Sequence, residues 1–198
     1  DVALLYQPDR FHYIGSRAIT ATTASPTRDM LTVWGDMDGH PTFIVVVHWP
    51  SRIGGVRFTE SERRVCARQV REVVDSVMMQ NPATRIIVMG DMNDNPRDKS
   101  ITEDLRAKRR PTQPTDLRNP FAEVRRGSSV YDGRWNKYDN IVVSINTPLL
   151  PIDGKRRAAI YRHPTLLTRR GTPRPTYDGT DHNGGASDHL PVYIVIGE

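Results

Sequence analysis

The stretch TFIVVVH, Thr42 to His48, is a nearly continuous apolar run rich in β-branched side chains. Such a run reads as a strand buried on both faces. Behind it, Val65, Cys66, Val70, Val73, Val74, Val77 and Met78 recur at helical spacing. Thr59 and Glu62 precede them at the separation of a capping box, and Asn81-Pro82 marks the helix end. Arg85 to Met89 is a second buried strand. Strand, helix and strand over 42–89 form a βαβ-like unit, which calls for a parallel pair with a helix packed across it.

Outward from this unit the pattern turns antiparallel. Arg17 to Thr23 and Met30 to Gly35 read as hairpin arms around Ser25-Pro26-Thr27-Arg28-Asp29. Val2 to Tyr6 reads as a core strand, Asp98 to Leu105 as a short helix, and Tyr138 to Ser144 and Leu190 to Ile196 as further strands. Residues 106–134 and Pro148 to Asp181 read as loop-rich connections. One domain over residues 1–198, of α/β or α+β class with mixed sheets, is the expected organisation.

Composition agrees with an ordinary globular chain: 37% hydrophobic and 26% charged residues, without repeats or low-complexity tracts. The longest apolar run, Phe43 to Val47, is far too short to span a bilayer, so no transmembrane segment is expected. A formal net charge of +5 suits an anionic partner, and serves solubility equally well. Single Cys66 excludes an intramolecular disulfide and leaves the compartment open, cytoplasmic or exported. Residues 1–10 carry no basic and apolar pattern of a secretion signal.

The chemistry-bearing residues gather at strand ends. Gly90-Asp91-Met92-Asn93 sets a carboxylate and a carboxamide two residues apart after a buried strand. An ionised carboxylate there is costly unless a cation or activated water partners it. Ser187-Asp188-His189 puts a carboxylate beside an imidazole ahead of the last strand; Asp139 opens another strand and His48 closes a third. Each alone is equally a turn or a capped loop. Four such clusters, rich in oxygen and imidazole and free of thiolate, are better explained by one hard-metal phosphoryl site.

The series Val45-Val46-Val47-His48-Trp49-Pro50-Ser51-Arg52, Ile87-Val88-Met89-Gly90-Asp91-Met92-Asn93, Tyr138-Asp139-Asn140-Ile141-Val142 and Ser187-Asp188-His189-Leu190-Pro191-Val192 resembles the endonuclease/exonuclease/phosphatase superfamily in order and spacing. The helix with Arg63, Arg64 and Gln69, and Trp135, fit the same pattern. The resemblance implies a four-layer αββα sandwich of two mixed β-sheets with the site at one edge. It implies that His48 contacts the scissile phosphate, Asp91 positions or deprotonates water, and Asn93 orients water and phosphate. Asp139 would hold His189, which would stabilise the phosphate in the transition state. Asp188, with Asp91, would hold Mg²⁺ or Mn²⁺.

The resemblance also implies a glutamate metal ligand and an asparagine upstream of the segment matching Val2 to Tyr6. None of Glu60, Glu62, Glu72 or Glu103 replaces them. The N-terminal strands are therefore expected to be missing from this chain. The 198 residues alone are expected to hydrolyse little and to self-associate through an exposed sheet edge. The expected substrate is a phosphate ester, with nucleic acid, phosphoinositide or sphingolipid head groups and soluble phosphates all open; basic runs at 108–110, 125–126, 155–157 and 169–170 read either as phosphate contacts or as solvated loops. The competing expectation is a non-catalytic anion-binding module that keeps the fold.

Overall fold

A computed structural model describes residues 2–197. Its centre is a seven-stranded mixed sheet. Strand β1 (Phe11–Ile19) pairs antiparallel with β2 (Met30–Met37), and β2 with β3 (His40–His48). Helix α1 (Val56–Gln80) crosses over to β4 (Arg85–Asp91), which lies parallel to β3. The βαβ unit read from residues 42–89 is therefore present.

Short strands β5 (Ala107–Lys108) and β6 (Leu117–Arg118) follow, then the hairpin of β7 (Ser129–Tyr131) and β8 (Arg134–Asn136). Strand β9 (Asp139–Ser144) inserts antiparallel beside β4, giving the order β1-β2-β3-β4-β9-β6-β5. Two-residue strands β10 (Ala159–Ile160), β11 (Tyr177–Asp178), β12 (Asp181–His182) and β13 (Val192–Tyr193) make small ribbons, β10 with β13 and β11 with β12. The class is mixed α+β, with a large central sheet and few helices.

Strand alternation sends the apolar run to both faces. Phe43, Val45 and Val47 of β3, with Ile86 and Val88 of β4, pack against Cys66, Ala67, Val70 and Val74 of α1. Ile44, Val46, Ile87 and Val143 point the other way, into a second core. Val2, Leu4, Ile194 and Ile196 pack against this second core.

Several local readings need correction. Val2 to Tyr6 joins no ladder, and Ala3 and Leu5 stay in solvent, Leu5 with 96% of its surface exposed. The first hairpin arm runs from Phe11 to Ile19 rather than from Arg17 to Thr23, so ten residues, 20–29, connect it to β2. Helix α1 starts a turn before Thr59 with Gly55 as its cap; Glu62 instead accepts a hydrogen bond from the Ala24 amide. Leu190 to Ile196 keeps only the two strand residues of β13 and a bridge from Ile196 to Leu149. Asp98 to Leu105 holds a single π-helical turn, Ser100–Asp104. Among the described residues no helix is long and apolar enough to cross a membrane.

Candidate active site

Sheet register builds the site. In the β3–β4 ladder His48 stands opposite Asp91, and in the β4–β9 ladder Asp91 stands opposite Asp139. Three side chains from distant parts of the sequence thus form one row across the sheet end. The row depends on Gly90. Its backbone lies at φ 136°, and a Cβ there would fall 1.9 Å from the Val47 carbonyl oxygen. Pairing continues past the strands, with the Trp49 amide donating to Asp91 O and the Met92 amide to Tyr138 O, both at 2.9 Å.

Beyond Asp91 the chain turns sharply. Asn93 takes up a left-handed conformation, φ 51°, which asparagine tolerates better than most residues. Its amide donates to Asp91 Oδ1 at 2.9 Å, and its side-chain Nδ2 donates to Trp49 O at 2.9 Å. Fully buried Asn140 pins the facing turn by donating to the carbonyls of Asp94, Lys137 and Tyr138.

His189 arrives from the far end of the chain through a bridge to Ser129. Its Nδ1 donates to Asp139 Oδ2 at 2.8 Å, and its amide donates to Ser187 Oγ at 3.0 Å. Ser128 Oγ donates to the same Asp139 oxygen. His48 Nε2 lies 3.5 Å from Asp91 Oδ2. His48, Asp91, Asn93, Asp188 and His189 line one open cavity of about 520 Å³, and Asp139 lies directly behind His189.

These neighbours set the charges. Burial, then the adjacent Asp139 carboxylate, pushes the Asp91 carboxyl up to about 6. Burial opposes charge on His189, but the hydrogen bond and the negative charge of Asp139 outweigh it and raise the imidazole to about 9. Burial pushes His48 down, so it is neutral beside Asp91 at neutral pH. Two imidazoles in one cavity are thus driven in opposite directions.

Arg52, Tyr138, Ser129, Tyr131 and Ile53 also line the cavity, and none of them carries a role readable from the sequence. Arg52 Nε donates to Asn93 O at 2.7 Å, its guanidinium pairs with Asp94 and Asp98, and it stacks over the Tyr138 ring. Asp94 in turn faces Arg63 of α1 at 2.8 Å, a charge with none of its side chain exposed. Among the described residues, ligand atoms of Asp91, Asp139 and His189 lie within 4.8 Å of one another, close enough to share a cation. His189 spends its Nδ1 on Asp139, so the carboxylates are the better donors.

A model of the Endonuclease/Exonuclease/phosphatase family matches residues 1–198. No curated protein sequence matches the chain significantly. Among solved structures, D. rerio TDP2 complexed with a single-strand DNA product is similar with a TM-score of 0.60 at 16% identity, over 96% of this chain and 70% of that one. The mannosyl-6-phosphatase of Bacteroides thetaiotaomicron gives 0.62 at 16%, over 98% and 69%. The human Nocturnin catalytic domain, with a bound sulfate anion, gives 0.52 at 15%, over 94% and 61%. At these identities the likeness establishes the fold.

Proposed function

Because the chain belongs to the Endonuclease/Exonuclease/phosphatase family, we propose that it hydrolyses phosphate esters with water, with a divalent metal ion as cofactor. The observation that carries this reading is the His48–Asp91–Asp139 row with His189 in one cavity. Asp91, pushed up to about 6, is ionised at neutral pH yet basic enough to take a proton from water. Asn93 shapes the turn that holds this carboxylate. His189, raised to about 9, is charged at neutral pH and offers a proton donor to a phosphate oxygen as its charge grows. Asp139 orients and charges that imidazole, and Ser128 holds Asp139. His48, neutral, contributes a hydrogen bond to the phosphate.

The donor set fits a hard cation. Asp91 is a half-buried carboxylate whose neighbours Asp139 and Asp188 both disfavour its charge, so it lacks sufficient positive partner. Asp91 and Asp188 would hold the ion, which when bound supplies positive charge to the phosphate oxygens. Mg²⁺ and Mn²⁺ both suit oxygen donors. The glutamate implied by the resemblance is not among the residues lining the cavity. That same feature favours the second reading, a non-catalytic module that holds an anion in the cavity.

The experiment is a variant series. Asp91→Asn and His189→Ala should each lower kcat by about 10²-fold or more, with the fold intact, because both serve charge changes made only in the transition state. Near-native turnover in either variant removes that residue from the mechanism. Retained phosphate-ester binding without turnover in the wild type would move the assignment to the binding module. D. rerio TDP2 with its single-strand DNA product and the Bacteroides mannosyl-6-phosphatase make single-stranded DNA and phosphorylated mannosides the first substrates to try.

A further inference from the structure

The arginine-rich runs play no part in the reaction described above, yet the fold brings two of them together. Arg109 and Arg110, just after β5, meet Arg157 and Arg118 of β6 around a cavity of about 440 Å³ that also includes Glu123. Nearby cations are already neutralised. Arg106 and Lys108 pair with buried Asp116, Arg156 pairs with Asp153, and Arg109 pairs with Glu123 at 3.0 Å. Arg110, Arg118 and Arg157 face this cavity with no carboxylate in ion-pair range among the described residues. The Arg157 side chain touches only the neutral Leu149 carbonyl, at 3.3 Å.

Four guanidiniums against one carboxylate leave an excess of positive charge that repels itself until an anion enters. Guanidinium forks match phosphate oxygens in pairs, and the volume falls within the range of small-ligand sites. The cavity shares no lining residue with the candidate active site. Arg118 stands opposite Val143, four residues along β9 from Asp139, hence about 13 Å away at strand rise. We propose that this arginine-lined cavity is a second site, which binds multiply charged phosphate groups and takes no part in hydrolysis. The source is either a small polyphosphorylated molecule or the backbone of a nucleic acid.

Isothermal titration of the protein at low ionic strength, with pyrophosphate and separately with a short single-stranded oligonucleotide, tests this. The variant is Arg110→Gln/Arg157→Gln; Arg110→Gln alone guards against a folding defect, and Arg110→Lys/Arg157→Lys keeps the charge. The double glutamine variant should bind pyrophosphate about tenfold or more weakly, the lysine variant should recover part of that, and turnover of a small phosphate monoester should stay unchanged. Weakening confined to the oligonucleotide, with a shallower salt dependence, supports the site and identifies the backbone as its source. Affinities for both probes equal to wild type in a folded variant overturn the proposal, as does a parallel loss of monoester turnover.

Discussion

Asp91 and His189 titrate on opposite sides of neutrality, and their roles require opposite protonation states. Asp91 must lose its proton to accept one from water, so activity should rise as pH passes about 6. His189 must keep its proton to donate, so activity should fall as pH passes about 9. A pH–rate profile with a plateau between these limits is expected; turnover that climbs steadily beyond the upper limit would contradict the role of His189. Asp139 is the group that lifts His189, so Asp139→Asn should bring the imidazole midpoint, followed by NMR, down toward the ordinary histidine range. The linkage has a definite sign. A raised imidazole pKa stabilises the fold fully below its unfolded value of about 6.5, and that contribution disappears as pH rises through about 9. The stability difference between wild type and Asp139→Asn should therefore shrink across that window, and a constant difference would show that Asp139 acts by packing alone. Asp91, Asp139 and His189 were legible because each sits in a short motif next to an apolar run. Ser128 was not, because the bond that places it on Asp139 spans residues with no local pattern between them.

Gly90 shows how one strand position controls the site. With φ at 136° and the Val47 carbonyl where a Cβ would sit, Gly90→Ala must push β3 and β4 apart just where His48 and Asp91 align. A loss of roughly 2–4 kcal/mol in urea unfolding is expected, whereas Gly15→Ala in β1, with nothing within 4 Å of its Cβ, should stay close to wild type. Equal stability of the two variants would mean that the sheet relaxes easily at Gly90. Elements with strong periodicity were readable: β3, α1, β4 and β9 all lie where the apolar pattern puts them. Short or tertiary-driven features were not. Val2 to Tyr6 has strand composition but no ladder partner among the described residues, and Val192–Tyr193 is all that pairing leaves of a longer apolar stretch. Arg63 and Arg71 lie outside the apolar periodicity of α1, yet both are buried. Arg71 pairs with Asp75 one helical turn on, but the Asp94 carboxylate that holds Arg63 and the Thr115 carbonyl that accepts from Arg71 lie outside the helix, where periodicity cannot reveal them.

Across the molecule, the parallel β3–β4 pair and the antiparallel β4–β9 pair bring the end of two strands and the start of a third to one sheet edge. The loop before β13 then delivers His189 from the opposite end of the chain. A mixed sheet is what makes this convergence available, and the family match over residues 1–198 agrees with it. The central claim is that this edge hydrolyses phosphate esters with the help of a divalent cation. The most direct test is turnover of bis(p-nitrophenyl) phosphate by the protein, stripped with EDTA and then titrated with Mg²⁺ or Mn²⁺, beside Asp91→Asn. The account predicts no turnover in the stripped protein, restoration by either ion, and at least about 10²-fold less in the variant at saturating ion. Equal turnover with and without the ion, or in wild type and Asp91→Asn, would contradict it.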